Sequence, residues 1–221
     1  MRREIEVKTN TTIDAPQLSN LLRVGLLAFT VLCTNSASAE DAVKRAEVPT
    51  IKVGDRWKYE QADRRTGVKD SKFDWRITAV TASQIEGTEN EGTLLMTPDL
   101  SIMESSTSVV SGEVKTLSFP LEVGKKWAYK ASFANKVTGS KGRWELKATV
   151  VAFEKVKVPA GEFDAFKVEY KGFWNSDTTH SNGRLVLANW YAPATRSLVK
   201  TEYDDGYNNW VRQLVEFQLQ P

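Results

Sequence analysis

The sequence predicts an all-β protein: a strongly curved antiparallel sheet, a half-barrel or a barrel, that is built on two related β-hairpins. The first observation is a repeat, since the stretch Val53–Glu60 (VGDRWKYE) recurs 70 residues later as Val123–Lys130 (VGKKWAYK). The second is that apolar and polar residues alternate along both copies, which is typical of strands with one buried face. The third is that no sustained helical periodicity follows the N-terminal segment.

The N-terminal segment has the pattern of a secretory signal peptide. An uncharged run, Val24–Cys33, follows Arg23 and precedes the small residues Ala37–Ala39, so we expect cleavage after Ala39. The run is much shorter than the roughly 20 residues of a membrane-spanning helix, and no span is expected after cleavage. The predicted organisation is therefore a signal peptide with an n-region extension (1–39), a linker (40–50) and one all-β domain (51–221).

Cysteine and charge restrict the chemistry of the exported chain. Cys33 is the single cysteine, and the residues before it, Thr30–Leu32, do not match the pattern that precedes a lipid-modified cysteine. The mature chain then has no disulfide, no thiolate metal site and no cysteine nucleophile. Lys and Arg total 30 against 28 for Asp and Glu, with both signs interspersed, so no nucleic acid partner is indicated.

The first repeat, near residues 53–82, predicts a hairpin. Trp57 and Tyr59 alternate with charged residues and indicate a strand, Ala62–Gly67 is a polar loop, and Phe73–Ala79 alternates again. Two further short strands are expected within Gln84–Met96.

The second repeat, near residues 123–152, predicts the same hairpin with a loop at 135–142. Trp57 and Trp75 are 18 residues apart, and Trp127 and Trp144 are 17 apart, and a difference of one loop residue is what two related hairpins should show. The aromatic residues of both hairpins are predicted to pack in the core: Trp57, Tyr59, Trp75, Trp127, Tyr129 and Trp144.

The C-terminal third predicts further hairpins. Pro159–Gly161 is a turn between two alternating stretches, and Asn182-Gly183 and Asp205-Gly206 are strong turn pairs. The chain closes with a strand over Val211–Leu219, giving about ten strands in all.

The residues offer little for catalysis. His180 is the only histidine and lies in a polar stretch, and the motifs of acyl, phosphoryl and dinucleotide chemistry are missing from the sequence. Asp204 and Asp205 resemble part of a calcium loop, but a hairpin turn explains them better. We therefore expect no enzyme activity, no cofactor and no metal.

Aromatic residues near turns and strand ends are the candidate ligand contacts. Such rings either stack on sugars or line an apolar pocket, or they pack at the rim of a barrel. The candidates are Trp174, Trp190, Tyr191, Tyr207 and Trp210.

Four stretches together resemble a family of exported bacterial proteins that is grouped as a domain of unknown function. They are VGDRWKYE, FPLEVGKKWAYK, VKVPAGEFDAFKVEY and WYAPATRSLVK, and they cover roughly Val53–Tyr203. The resemblance implies an envelope location and a β-rich, lipoprotein-like fold, with no established activity and no catalytic residues. The residues before Cys33 depart from the lipid-anchored relatives.

Three functions are compatible with these patterns. The first is a non-catalytic periplasmic or secreted binding protein that holds an apolar ligand or an envelope protein on an incompletely filled concave sheet. The second is a carbohydrate-binding module, which predicts Trp or Tyr rings on an exposed face. The third is a carboxylate-based hydrolase, which predicts two acids facing each other in a cleft.

Overall fold

The computed structural model describes residues 44–221, and it confirms the predicted fold class. The predicted signal peptide and its cleavage site lie outside these residues. The described part contains fourteen strands, more than the ten or so expected, and one short 3₁₀ turn at Pro193–Thr195. The strands are β1 (Arg45–Ala46), β2 (Arg56–Asp63), β3 (Lys69–Val80), β4 (Ile85–Glu89), β5 (Gly92–Met96), β6 (Ile102–Glu104), β7 (Ser108–Gly112), β8 (Leu121–Glu122), β9 (Lys126–Asn135), β10 (Lys141–Val158), β11 (Gly161–Ser176), β12 (Asn182–Ala192), β13 (Ser197–Asp204) and β14 (Asn209–Gln218).

Twelve strands close into an antiparallel barrel. Their order is β9-β10-β11-β12-β13-β14-β2-β3-β4-β5-β6-β7, and β7 pairs with β9 to complete the ring. Two long-range pairings close it, because Leu214 of β14 lies opposite Tyr59 of β2, and Val110 of β7 lies opposite Phe133 of β9. Closure leaves the barrel sheet without an unpaired edge.

The two remaining strands, β1 and β8, form a small separate sheet. Arg45 pairs with Glu122 and Ala46 with Leu121, and both Ala46 and Leu121 are buried. Two residues of the predicted linker therefore form a strand.

The two predicted hairpins are present as β2–β3 and β9–β10, and their tryptophans differ in register. Trp57 lies opposite Trp75 in the first hairpin, whereas Trp127 lies opposite Ala148 in the second. Trp144 pairs with Ala131, further along the strand. Because the second hairpin has longer strands than the first, equal spacing along the chain does not give equal positions in the sheet.

Inward-facing side chains fill most of the barrel. One buried cluster contains Trp57, Ile77 and Leu214, and a second contains Val168 and Tyr170. Burying side chains of this size is the main source of stability in a chain whose described part has no disulfide. The interior remains open at one end, where the loops of alternate hairpins meet.

Candidate functional site

A cavity of about 1200 Å³ opens at the loop end of the barrel. It lies where β2, β4, β6, β9, β11 and β13 end and where the strands that follow them begin. Seven aromatic side chains line it, and we call them the aromatic mouth: Phe73, Phe133, Trp144, Trp174, Tyr203, Tyr207 and Trp210.

Two pairs of stacked rings form parts of the wall. Tyr203 and Trp210 are cross-strand partners on β13 and β14, and their ring centroids are 4.9 Å apart at an interplanar angle of 6°. Phe133 and Trp144 stack at 4.7 Å and 20°. Because aromatic pairs of this kind hold each other's orientation, the rings form a preformed surface.

Trp174 lies flat across a glycine. Its cross-strand partner is Gly183, and a Cβ on Gly183 would come within 2.7 Å of the Trp174 Nε1 atom. The Trp174 ring meets Tyr207 edge to face, with centroids 5.8 Å apart, and its Nε1 donates a hydrogen bond to the Asp205 carbonyl at 3.1 Å. The absence of a side chain at 183 is what allows this ring to reach its position.

The β13–β14 turn holds Tyr207 at the entrance. The Asp205 carboxylate accepts hydrogen bonds from the backbone N–H groups of Tyr207 (2.9 Å) and Asn208 (2.7 Å), and Tyr203 donates its hydroxyl at 3.0 Å. Although partial burial would raise the pKa of Asp205, the hydrogen bonds from Asn208 and Tyr207 lower it below its ordinary value. The carboxylates that resemble a calcium loop are thus engaged in a turn, and residues 44–221 contain no cluster of three metal-ligating side chains.

Short polar side chains surround the aromatic rings. Among the lining residues there is no Leu, Ile, Val or Met, and Asp205 is the single acid of the described residues that line the cavity. The short polar residues are Ser71, Asn90, Ser106, Thr107, Ser108, Asn135, Thr138, Ser140, Ser176, Thr179, Ser181 and Asn208. Such a lining offers apolar ring faces together with many hydrogen-bonding groups.

Arg212 forms part of the inner wall. It points inward on the same face of β14 as Trp210 and Leu214, and its Cζ lies 3.6 Å from the Phe73 ring centroid and 5.3 Å from that of Trp210. Its Nη2 donates to Gln61 Oε1 at 3.0 Å. Burial lowers the pKa of the Arg212 guanidinium to about 10, so it is cationic at neutral pH.

The five predicted contact residues fall into two groups. Trp174, Tyr207 and Trp210 lie together in the aromatic mouth. Trp190 is buried, and its Nε1 donates to Glu154 Oε1 at 2.8 Å. Tyr191 is buried in the second core cluster.

The predicted core aromatics are also divided. Trp57, Tyr59, Trp75 and Tyr129 are buried, whereas Trp127 is half-buried. Trp144 packs against the second core cluster and also lines the aromatic mouth.

Sequence reasoning did not predict five of the aromatic and cationic residues that line the cavity: Phe73, Phe133, Trp144, Tyr203 and Arg212. A usable signal exists for them, because alternate turns of an antiparallel sheet lie at the same end. Inward-facing residues next to alternate turns should therefore meet.

Comparisons with known proteins find solved structures with the same fold, but they assign no function to the cavity. No protein-family model and no curated protein matches the chain. Residues 44–221 contain no helix with the length and hydropathy needed to cross a membrane.

Two solved structures share the fold. A candidate exported protein with a YmcC-like fold from Bacteroides fragilis superposes with a TM-score of 0.55 at 14% identity, covering 78% of this chain and 99% of its own. A candidate lipoprotein from Parabacteroides distasonis gives a TM-score of 0.53 at 14% identity, covering 79% of this chain and 100% of its own. The likeness supports the β-rich fold that the family resemblance implies, and family membership stays a prediction.

Proposed function

We propose that the protein is an exported, non-catalytic binding protein of the cell envelope and that the aromatic mouth holds a carbohydrate. The observation that carries this proposal is the lining: seven aromatic rings and a rim of hydroxyl and amide groups, with no Leu, Ile, Val or Met among the lining residues that the structure describes. Sugar rings present C–H faces that pack on aromatic rings and hydroxyls that need hydrogen-bond partners. The envelope location is supported by the signal-peptide pattern and by the fold shared with a candidate exported protein and a candidate lipoprotein.

An apolar carrier has less support from the same cavity. A hydrocarbon chain needs an extended apolar channel, yet the interior below the mouth is occupied by buried side chains such as Leu214 and Tyr170. A carboxylate-based hydrolase also has less support, because two acids are required and Asp205 is the single lining acid of the described chain.

A glycan panel tests the proposal by tryptophan fluorescence and calorimetry. Trp174→Ala and Trp210→Ala are expected to weaken binding of the selected glycan about tenfold, the scale of one lost aromatic contact. Phe173→Ala is the matched control, because Phe173 is the neighbour of Trp174 on β11 but is 58% exposed on the outer face of the barrel. It should leave the affinity unchanged.

Two results would count against a carbohydrate site. One is a panel in which no glycan changes the fluorescence or releases heat. The other is a glycan whose affinity falls equally in Phe173→Ala and Trp174→Ala, which would locate the contact outside the mouth. Binding of dodecanoate with the variant pattern expected for the glycan would support the apolar carrier instead.

A further inference from the structure

Arg212 is a cation in the aromatic mouth without an anionic partner among the described residues. Its Cζ lies 3.6 Å from the centroid of the Phe73 ring and 5.3 Å from that of Trp210, and the Trp210 ring in turn stacks on Tyr203. Stacking positions the group and leaves its edge for hydrogen bonds.

Much of that edge is unused within the described chain. Nη2 donates to the neutral amide of Gln61. Nε is shielded from solvent and has no acceptor, and Nη1 makes no hydrogen bond with residues 44–221. No carboxylate oxygen of these residues lies within 4.0 Å of the Arg212 nitrogens.

The nearby acids are engaged elsewhere. Glu89 acts on Arg212 by its charge, but its Oε2 accepts from Trp75 Nε1 at 2.8 Å and its Oε1 accepts from Ser106. Asp70 accepts from the Nε2 atom of Gln61 at 3.3 Å. Asp205 is held by its own turn.

An unpaired, partly buried cation destabilises the folded protein, and arginine binds carboxylates and phosphates with strong, directional hydrogen bonds. We infer that the bound carbohydrate is acidic and that Arg212 binds its carboxylate or phosphate group. This inference rests on the proposed function.

The experiment compares trigalacturonic acid with its methyl ester, which has the same chain without the charges, and with galactose 6-phosphate. Calorimetry with the purified protein should give an affinity for the better of the two acids about ten- to a hundredfold above that of the ester, the range for one charge-assisted contact. Tighter binding of trigalacturonic acid would identify a carboxylate as the group that Arg212 binds, and tighter binding of galactose 6-phosphate would identify a phosphate.

Two variants separate a ligand contact from a structural role. Arg212→Gln should bring the acid to the affinity of the ester while the ester's own affinity stays within a few fold. Gln61→Glu, made in an Asp70→Asn background because Gln61 also donates to Asp70, supplies Arg212 with an internal carboxylate. It should raise the melting temperature relative to Asp70→Asn and yet weaken binding of the acid to the same extent. A structural role predicts that Gln61→Glu leaves acid binding intact, which would overturn the inference.

The two proposals fail in different ways. Equal affinity of the wild-type protein for acid and ester would overturn the acidic ligand and leave a neutral carbohydrate site standing. Failure of every glycan to bind would remove both.

Discussion

Gly54 and Gly124 occupy the same position in the two halves of the repeat. Each has a φ of +92°, and each donates its backbone N–H to the second strand of its hairpin, Gly54 to the Ile77 carbonyl (2.9 Å) and Gly124 to that of Val150 (2.8 Å). The two stretches therefore share the hydrogen bond of the entry turn as well as the sequence motif. The glycine of the repeated sequence is therefore required by the positive φ of the entry turn, just as the aromatic residues of the repeat are required for packing.

The positive φ predicts that alanine at either position destabilises the fold. Gly124→Ala should lower the free energy of unfolding by about 1–2 kcal/mol from backbone strain, because no atom lies within 4 Å of the new Cβ. Gly54→Ala should cost more, since its Cβ would lie 3.2 Å from the Gln220 side chain. Urea denaturation measures both. Val123→Ala, on an exposed neighbour, is the control, and an unchanged midpoint for Gly124→Ala would contradict the prediction.

A second prediction concerns the position of Trp174. Gly183→Ala should displace the ring, because the new Cβ would meet it at 2.7 Å, and overpacking of this kind costs about 1–3 kcal/mol. The displaced ring should lose its hydrogen bond to the Asp205 carbonyl. The tryptophan emission should therefore shift, and the affinity for the glycan selected by the panel should fall. Val186→Ala, on the outer face of the same strand, should change none of the three. Unchanged emission in Gly183→Ala would show that the ring tolerates the methyl group.

Local patterns predicted the hairpins and could not predict which residues meet at the open end. Trp190 and Trp210 both lie near turns, but the turn at Pro193–Thr195 and the turn at Asp205-Gly206 are separated by the eight residues of β13. At about 3.3 Å per residue, that distance is roughly 26 Å, so consecutive turns lie at opposite ends of the barrel. Only three of the five candidates therefore share a cavity.

Arg212 illustrates a second limit of the sequence. A charged residue in a strand ordinarily faces solvent, and its inward direction follows from the register of β14, where Arg212 lies opposite Gln61 and two residues from Leu214. The closure between β14 and β2 joins residues about 150 positions apart, for which a single sequence carries no local signal.

The Asp205 carboxylate predicts acid sensitivity of the turn. The pKa of Asp205 is lowered in the folded protein. Its contribution to stability is therefore complete at pH values above the unfolded pKa of 3.8, and it is lost as the pH falls through the folded pKa. Asp205→Asn should therefore destabilise the protein at neutral pH and make its melting temperature fall less steeply below about pH 4. Tyr203→Phe removes one of the donors and should reduce the pH effect only in part. Parallel curves for the wild-type protein and Asp205→Asn would contradict this assignment.

The opposite end of the pH scale tests the packing of the barrel. Burial raises the pKa of five tyrosines above the ordinary value of 10.0, namely Tyr59, Tyr129, Tyr170, Tyr191 and Tyr203. The unfolded chain releases these protons at about pH 10. The contribution of the buried tyrosines to stability is therefore complete below that pH, and it is lost as the pH rises towards their pKa values in the folded protein. Tyrosinate absorbance from these residues should therefore appear together with the loss of the β-sheet circular dichroism signal.

Two measurements make this last prediction specific. In urea, the same tyrosines should titrate at about pH 10 without cooperativity, because the burial is gone. Tyr59→Phe removes the hydrogen bond that Tyr59 shares with the Ser197 hydroxyl at 2.8 Å, so it should cost about 1 kcal/mol at neutral pH while removing one ionisable group from the alkaline transition. Tyrosinate absorbance from all five residues at about pH 10, with the circular dichroism signal intact, would mean that water reaches the barrel interior and that the two core clusters are packed less densely than their burial indicates.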